Sequence, residues 1–188
     1  MIPYTDTHCH LDFDRFDEDR ELVLKHAWKA GLVKIINPAI DLPTCQAAIE
    51  LARQYPGKVY AAVGIHPNIG KPWTPDILPT MRVQAKQPGV VAIGEIGLDY
   101  YRDHTPFDQQ RMMFKEQLKL AEELKLPVII HDREASRDLL AILTEWHAGL
   151  VRTGNPLKDR PGVLHSFSAD LETGLAAIKL NFCLGITG

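Results

Sequence analysis

The chain has 188 residues, 45% of them apolar and 24% charged, with a formal net charge of −3. That length suits one domain with a sizeable core, and the mildly acidic balance excludes a global basic field for nucleic acid or anionic membrane. No apolar run reaches the roughly 20 residues of a bilayer span, and the start MIPYTDTHCH lacks the basic and apolar regions of a secretion signal.

Cys9, Cys45 and Cys183 show no paired spacing, which suits a reducing cytoplasm better than a disulfide framework. A soluble cytoplasmic monomer is the expectation.

Short apolar runs alternate with amphipathic segments throughout. The runs predict strands at Ile2–Thr7, Leu32–Asn37, Val59–Ile65, Val90–Glu95, Val128–His131, Gly162–His165 and Phe182–Ile186. Continuous apolar stretches such as VVAIG and PVIIH fit parallel strands buried on both faces. A helix is predicted over Asp17–Ala30, with Leu22, Val23, His26, Ala27 and Ala30 as its inner stripe and Gly31 as its stop. A second spans Pro43–Tyr55, and Thr74-Pro75 opens a third in the order of cap then proline. Pro106–Leu124 is the longest, with Phe107, Phe114, Leu118, Ala121 and Leu124 facing inward. Ala135–Trp146 and Asp170–Lys179 complete the helices, and the polar stretch His147–Arg160 reads as a loop.

Strands recurring at about 30 residues are the mark of repeated strand–helix units. The expected fold is therefore α/β with a parallel sheet, and residues 1–188 form a single domain. A doubly wound sheet is disfavoured because the first strand leads into THCHLD and not a glycine-rich phosphate loop. Seven predicted strands are one short of a TIM-type (β/α)8 barrel. Either the fold has seven strands, or the eighth strand is missing and the chain is truncated at its C-terminal end.

The polar residues carry the functional signal. His8 and His10 come after the first strand, His66 after the third, Glu95 ends the fourth, His131 the fifth and His165 the sixth. In a parallel barrel these ends meet on one face, where catalytic groups collect. Imidazoles and a carboxylate gathered there suit zinc, manganese, magnesium or similar divalent ions. Glu95 is the natural bridge, because one carboxylate can offer an oxygen to each of two ions. Strand alternation sends His8 and His10 to the same side and turns Cys9 away, to pack behind the site; Cys45 and Cys183 read as core.

His66 can touch substrate, orient a ligand or be structural. His26 and His147 sit on helical segments and read as ordinary, and His104 lies in a loop. Arg133, two residues beyond His131, is the candidate phosphate-binding cation, ahead of Arg102, which has Asp99 and Asp103 close by. Tyr100 and Tyr101 can stack on bases or pack their loop. Glu95, Arg133 and His66 are the candidate catalytic residues.

TDTHCHLDF, GIHP, VVAIGEIGLDYYRD, LPVIIHDREA and GVLHSFS, in this order and spacing, resemble the TatD family of metal-dependent hydrolases over the whole chain. The resemblance implies an amidohydrolase-like TIM barrel and a divalent-metal-dependent deoxyribonuclease that cleaves DNA phosphodiesters with a metal-bound hydroxide. It implies one ion on His8, His10 and Glu95, and a second on Glu95, His131 and His165. Family members continue far enough to complete an eight-stranded barrel, and that portion carries a Glu-Thr-Asp strand end whose aspartate binds the first ion. No such motif occurs in this sequence, and HSFS replaces the more usual HCF-type segment. DNA or a small phosphoester or ester is the implied substrate. The rival readings are an amide, ester or aminoacyl-ester hydrolase on the same metals, a three-metal phosphoesterase, and a metal-binding domain without turnover.

Overall fold

The structure, a computed structural model, describes residues 3–186. Among these residues seven strands form one wholly parallel sheet in sequential order: β1 (Tyr4–Asp6), β2 (Leu32–Pro38), β3 (Val59–Val63), β4 (Val90–Asp99), β5 (Val128–Arg133), β6 (Gly162–Leu164) and β7 (Cys183–Leu184). Among the described residues six α-helices alternate with them: α1 (Arg20–Lys29), α2 (Leu42–Gln54), α3 (Ile77–Ala85), α4 (Phe107–Leu124), α5 (Ser136–Thr153) and α6 (Leu171–Lys179). Sequential parallel order with a helix in each crossover is the TIM-type arrangement. The sheet curls enough that the ring of His8, beyond β1, stacks on His165, beyond β6, with centroids 3.9 Å apart.

Local chemistry explains the element ends. Asp41 and Thr44 form a reciprocal capping box at the start of α2, where Pro43 occupies the first turn. Asp170 caps α6 by accepting the Thr173 backbone N–H. The principal core lies between the sheet and helices α2 to α6, around Ile93, Ile96, Phe114, Leu118, Ile130 and Leu143. No helix among the described residues is long and apolar enough to cross a membrane.

Several sequence expectations are corrected. β1 ends at Asp6, so His8 and His10 lie in a turn beyond it; Ile2 is outside the described residues. β4 runs four residues past Glu95, to Asp99. The predicted loop from His147 is helical through Thr153, because Leu150 is fully buried one turn after Trp146 and continues its stripe. Gly149 sits inside that helix without breaking it. The actual stop is Gly154, whose left-handed φ of 67° suits glycine. On α1 the buried residue is Leu24, packed with Leu11, Leu32 and Ile35, while Leu22 is exposed. Cys183 is not core: it is exposed on the edge strand β7, whereas Cys45 is fully buried and its thiol is pushed up to about 12 by burial.

Candidate metal centre

Five strands, β1 and β3 to β6, deliver polar side chains at or near their C-terminal ends, and distinct local devices aim them. Beyond β1, the Cys9 backbone N–H donates to the Ile36 carbonyl of β2 and the Leu11 N–H donates to the Asn37 side chain. Asn37 is fully buried and also donates to Asp12, so one amide pins the turn that presents His8 and His10. Their Nε2 atoms lie 3.2 Å apart. Cys9 packs against the Leu11–Leu24 cluster, as expected, and burial raises its thiol to about 11. In β4, the pairing register with β5 shifts between Ile93 and Ile96, and Glu95 projects from that irregularity, 3% exposed.

Two buried glutamines of α4 hold the neighbouring strand ends. Gln117 pairs with both the N–H and the carbonyl of Ile65, just before His66. Gln110 does the same for Asp99 at the end of β4. Each amide satisfies backbone groups that leave the sheet ladder. Asn37, Asp99, Gln110 and Gln117 were not singled out by sequence reasoning as shaping the site. An amphipathic pattern interrupted by glutamines on an otherwise buried face of α4 is the signal that could have found two of them.

The resulting constellation centres on Glu95. Its Oε2 lies 3.3 Å from His8 Nε2 and 3.6 Å from His10 Nε2. Its Oε1 lies 2.9 Å from His131 Nδ1 and 2.5 Å from His165 Nε2, and those two nitrogens are 3.4 Å apart. His66 Nε2 is more distant, at 3.9 Å from Oε1. Burial opposes ionisation of Glu95, but the surrounding imidazoles outweigh it and hold the carboxyl well below its ordinary range. Burial lowers His8, and lowers His66 to about 4, so His66 is neutral. His131 is the exception: burial disfavours its charge, yet Glu95 and Asp99 outweigh burial and raise it.

The donor set fits divalent ions. A tetrahedral zinc site with nitrogens at about 2.0–2.1 Å has edges between ligand atoms of about 3.3 Å. The triangle of His8, His10 and Glu95 has edges of 3.2, 3.3 and 3.6 Å. Among the described residues three groups could hold a metal ion: His8, His10 and Glu95; Glu95, His131 and His165; and His66, Asp99 and His131.

The outlying candidates separate clearly. Arg133 is exposed at the rim of a cleft of about 580 Å³ that reaches His131 and His165, and its guanidinium lies 4.1 Å over the Tyr101 ring. Arg102 instead reaches toward Asp99, at 3.7 Å. Tyr100 packs on Phe107 and donates to Asp138, which leaves Tyr101 as the exposed aromatic. His26 and His104 are exposed outside the cluster, and His147 contacts the Lys158 carbonyl.

A TIM-type parallel sheet with histidines and a buried glutamate gathered toward the C-terminal ends of its strands defines a metal-dependent hydrolase. The family model described as TatD related DNase matches residues 5–188, and the chain belongs to that family. It is 37% identical over 187 residues to the uncharacterized metal-dependent hydrolase YjjV of Escherichia coli, covering 98% of this chain and 68% of that protein. It is 36% identical over 183 residues to the 3′-5′ ssDNA/RNA exonuclease TatD of a Pantoea species, covering 97% and 67%. The crystal structure of YjjV superposes with a TM-score of 0.85 at 35% identity, covering 96% of this chain and 66% of that one. The chain thus spans about two thirds of the length of these relatives.

Proposed function

We propose that this chain is a nuclease that hydrolyses DNA phosphodiesters with two divalent ions, one held by His8, His10 and Glu95 and the other by Glu95, His131 and His165. The observation that carries the reading is the split of Glu95: Oε2 faces one histidine pair and Oε1 faces the other. Bound there, such ions lower the pKa of a coordinated water and polarise a phosphoryl or acyl centre.

The chain's own groups supply the rest. His66 Nδ1 accepts the Asn68 backbone N–H at 3.1 Å, so the neutral ring carries its proton on Nε2. That N–H points toward the cluster, available to a substrate oxygen. Arg133 has its face supported by Tyr101 and no carboxylate partner within ion-pair distance among the described residues, which leaves its N–H groups for a phosphate. With a net charge of −3, capture rests on this local cation and the ions rather than on a broad basic surface. A relative named as an ssDNA/RNA exonuclease supports single strands as the substrate.

The test is incubation of manganese- or zinc-loaded protein with end-labelled single-stranded DNA and, in parallel, with ester and amide substrates. Release of nucleotides that Glu95→Gln abolishes is the expected result. Glu95-dependent cleavage of ester or amide alone would overturn the nuclease reading.

A further inference from the structure

Of the group formed by His66, Asp99 and His131, only His131 belongs to the two-ion arrangement. A third ion would be the simplest use for the group, but the hydrogen bonds argue otherwise. With Nδ1 of His66 accepting from Asn68, the Nε2 that would face an ion carries a proton and has no free lone pair. Asp99 Oδ1 accepts two backbone N–H groups, from Tyr101 and Arg102, each at 3.1 Å. Its Oδ2 is left for side chains: it lies 3.3 Å from His131 Nε2, with the Arg102 guanidinium farther off at 3.7 Å.

His131 is distinctive in this respect. The ring nitrogens of His8, His10 and His165 that face away from Glu95 have no hydrogen-bond partner among the described residues. The corresponding nitrogen of His131 faces a fully buried carboxylate, whose own backbone is clamped through its N–H and carbonyl by Gln110. A carboxylate on the far nitrogen fixes which ring nitrogen keeps the proton and increases the basicity of the other.

We propose that Asp99 is a positioning residue: its Oδ2 accepts the Nε2 proton of His131, so that Nδ1 is presented to the ion shared with Glu95 and His165. Through Oδ1 the same carboxylate fixes the Tyr101–Arg102 turn. One side chain thereby locks the orientation of a ligand and the placement of Tyr101, the surface on which Arg133 rests. This role depends on the two-ion reading above.

The first test needs no variant. In zinc-loaded protein with ¹⁵N-labelled histidine, His131 should show a metallated Nδ1 and a slowly exchanging Nε2 proton. Ligation through Nε2 would overturn the proposal outright. Asp99→Asn preserves shape but supplies no negative acceptor, so calorimetric zinc titration should show the second ion weakened about 10–100-fold while the first is unchanged. An unchanged titration, or equal weakening of both ions, would also overturn it. His131→Gln separates the two readings. If it removes one zinc while Asp99→Asn leaves both affinities unchanged, the two-ion site stands and the role of Asp99 fails. If His131→Gln leaves the stoichiometry unaltered, the site itself is wrong.

Discussion

Gly97→Ala is the sharpest structural perturbation available near the site. Gly97 pairs with His131 across β4 and β5 and has a φ of +141°, a conformation that side chains rarely adopt. A Cβ added there would lie 2.1 Å from the His131 carbonyl oxygen and 3.0 Å from its C and N atoms. Ordinary contact begins at 3.4 Å, so β5 would have to retreat by about 1.3 Å. That shift disrupts the ladder running from Ile96↔Ile130 to Asp99↔Arg133. Loss of two or three bonds at about 1 kcal/mol each, with about 1–3 kcal/mol of backbone strain, gives about 3–6 kcal/mol. Natural domains hold about 5–15 kcal/mol, so the variant should lose a large share of its stability at 25 °C. The same retreat moves His131 away from Glu95, now 2.9 Å away, and a displacement of about 1 Å costs about 100-fold in activity. Urea unfolding of the metal-free protein, followed by circular dichroism, measures the first effect, and zinc calorimetry on the folded fraction measures the second. A loss below about 1 kcal/mol with both zinc affinities intact would refute the reasoning.

Other parts of the molecule give three further expected outcomes. Burial holds the folded-state pKa of His66 near 4 against 6.5 for the unfolded chain, so the unfolded chain takes up the proton first as pH falls. His66 therefore costs the fold nothing above pH 6.5 and about 3 kcal/mol by pH 4; His66→Gln should flatten the fall in urea midpoint over that window, and equal acid sensitivity would contradict it. Leu150→Ala, at a fully buried position of α5, should lose about 2–5 kcal/mol, whereas the exposed Val151→Ala should change stability by less than about 0.5; similar losses would place the helix wrongly. Arg133→Ala should raise the KM for single-stranded DNA about tenfold or more, and Arg133→Lys should recover little of it, because an ammonium lacks the planar fork that rests on Tyr101. Full recovery by lysine would reduce Arg133 to a point charge.

The parallel α/β pattern was legible because each half of a strand–helix unit carries its own local signal. VVAIG can be buried on both faces only in a covered sheet, and the stripe of α4 has a helical period. The metal-capable residues were legible for a related reason. A histidine or glutamate that closes an apolar run breaks the pattern at one point, and parallel strands send all such points to the same face. What the sequence leaves open depends on quantities with no linear signature. Asp99 sits among Asp103, Arg102 and two tyrosines in GLDYYRD, and nothing in its spacing separates it from Asp103. A β4 that ended at Glu95 would leave Asp99 in a loop, where an ion pair with Arg102 is its natural use. Four more residues of strand pair Asp99 with Arg133 and bring its carboxylate against His131, fully buried. Burial then decides its chemistry: an exposed Asp–Arg pair contributes little, whereas a buried carboxylate with both oxygens hydrogen-bonded is held in one orientation. The extent of one strand thus separates a surface charge from a group able to set how a neighbouring imidazole meets its ion.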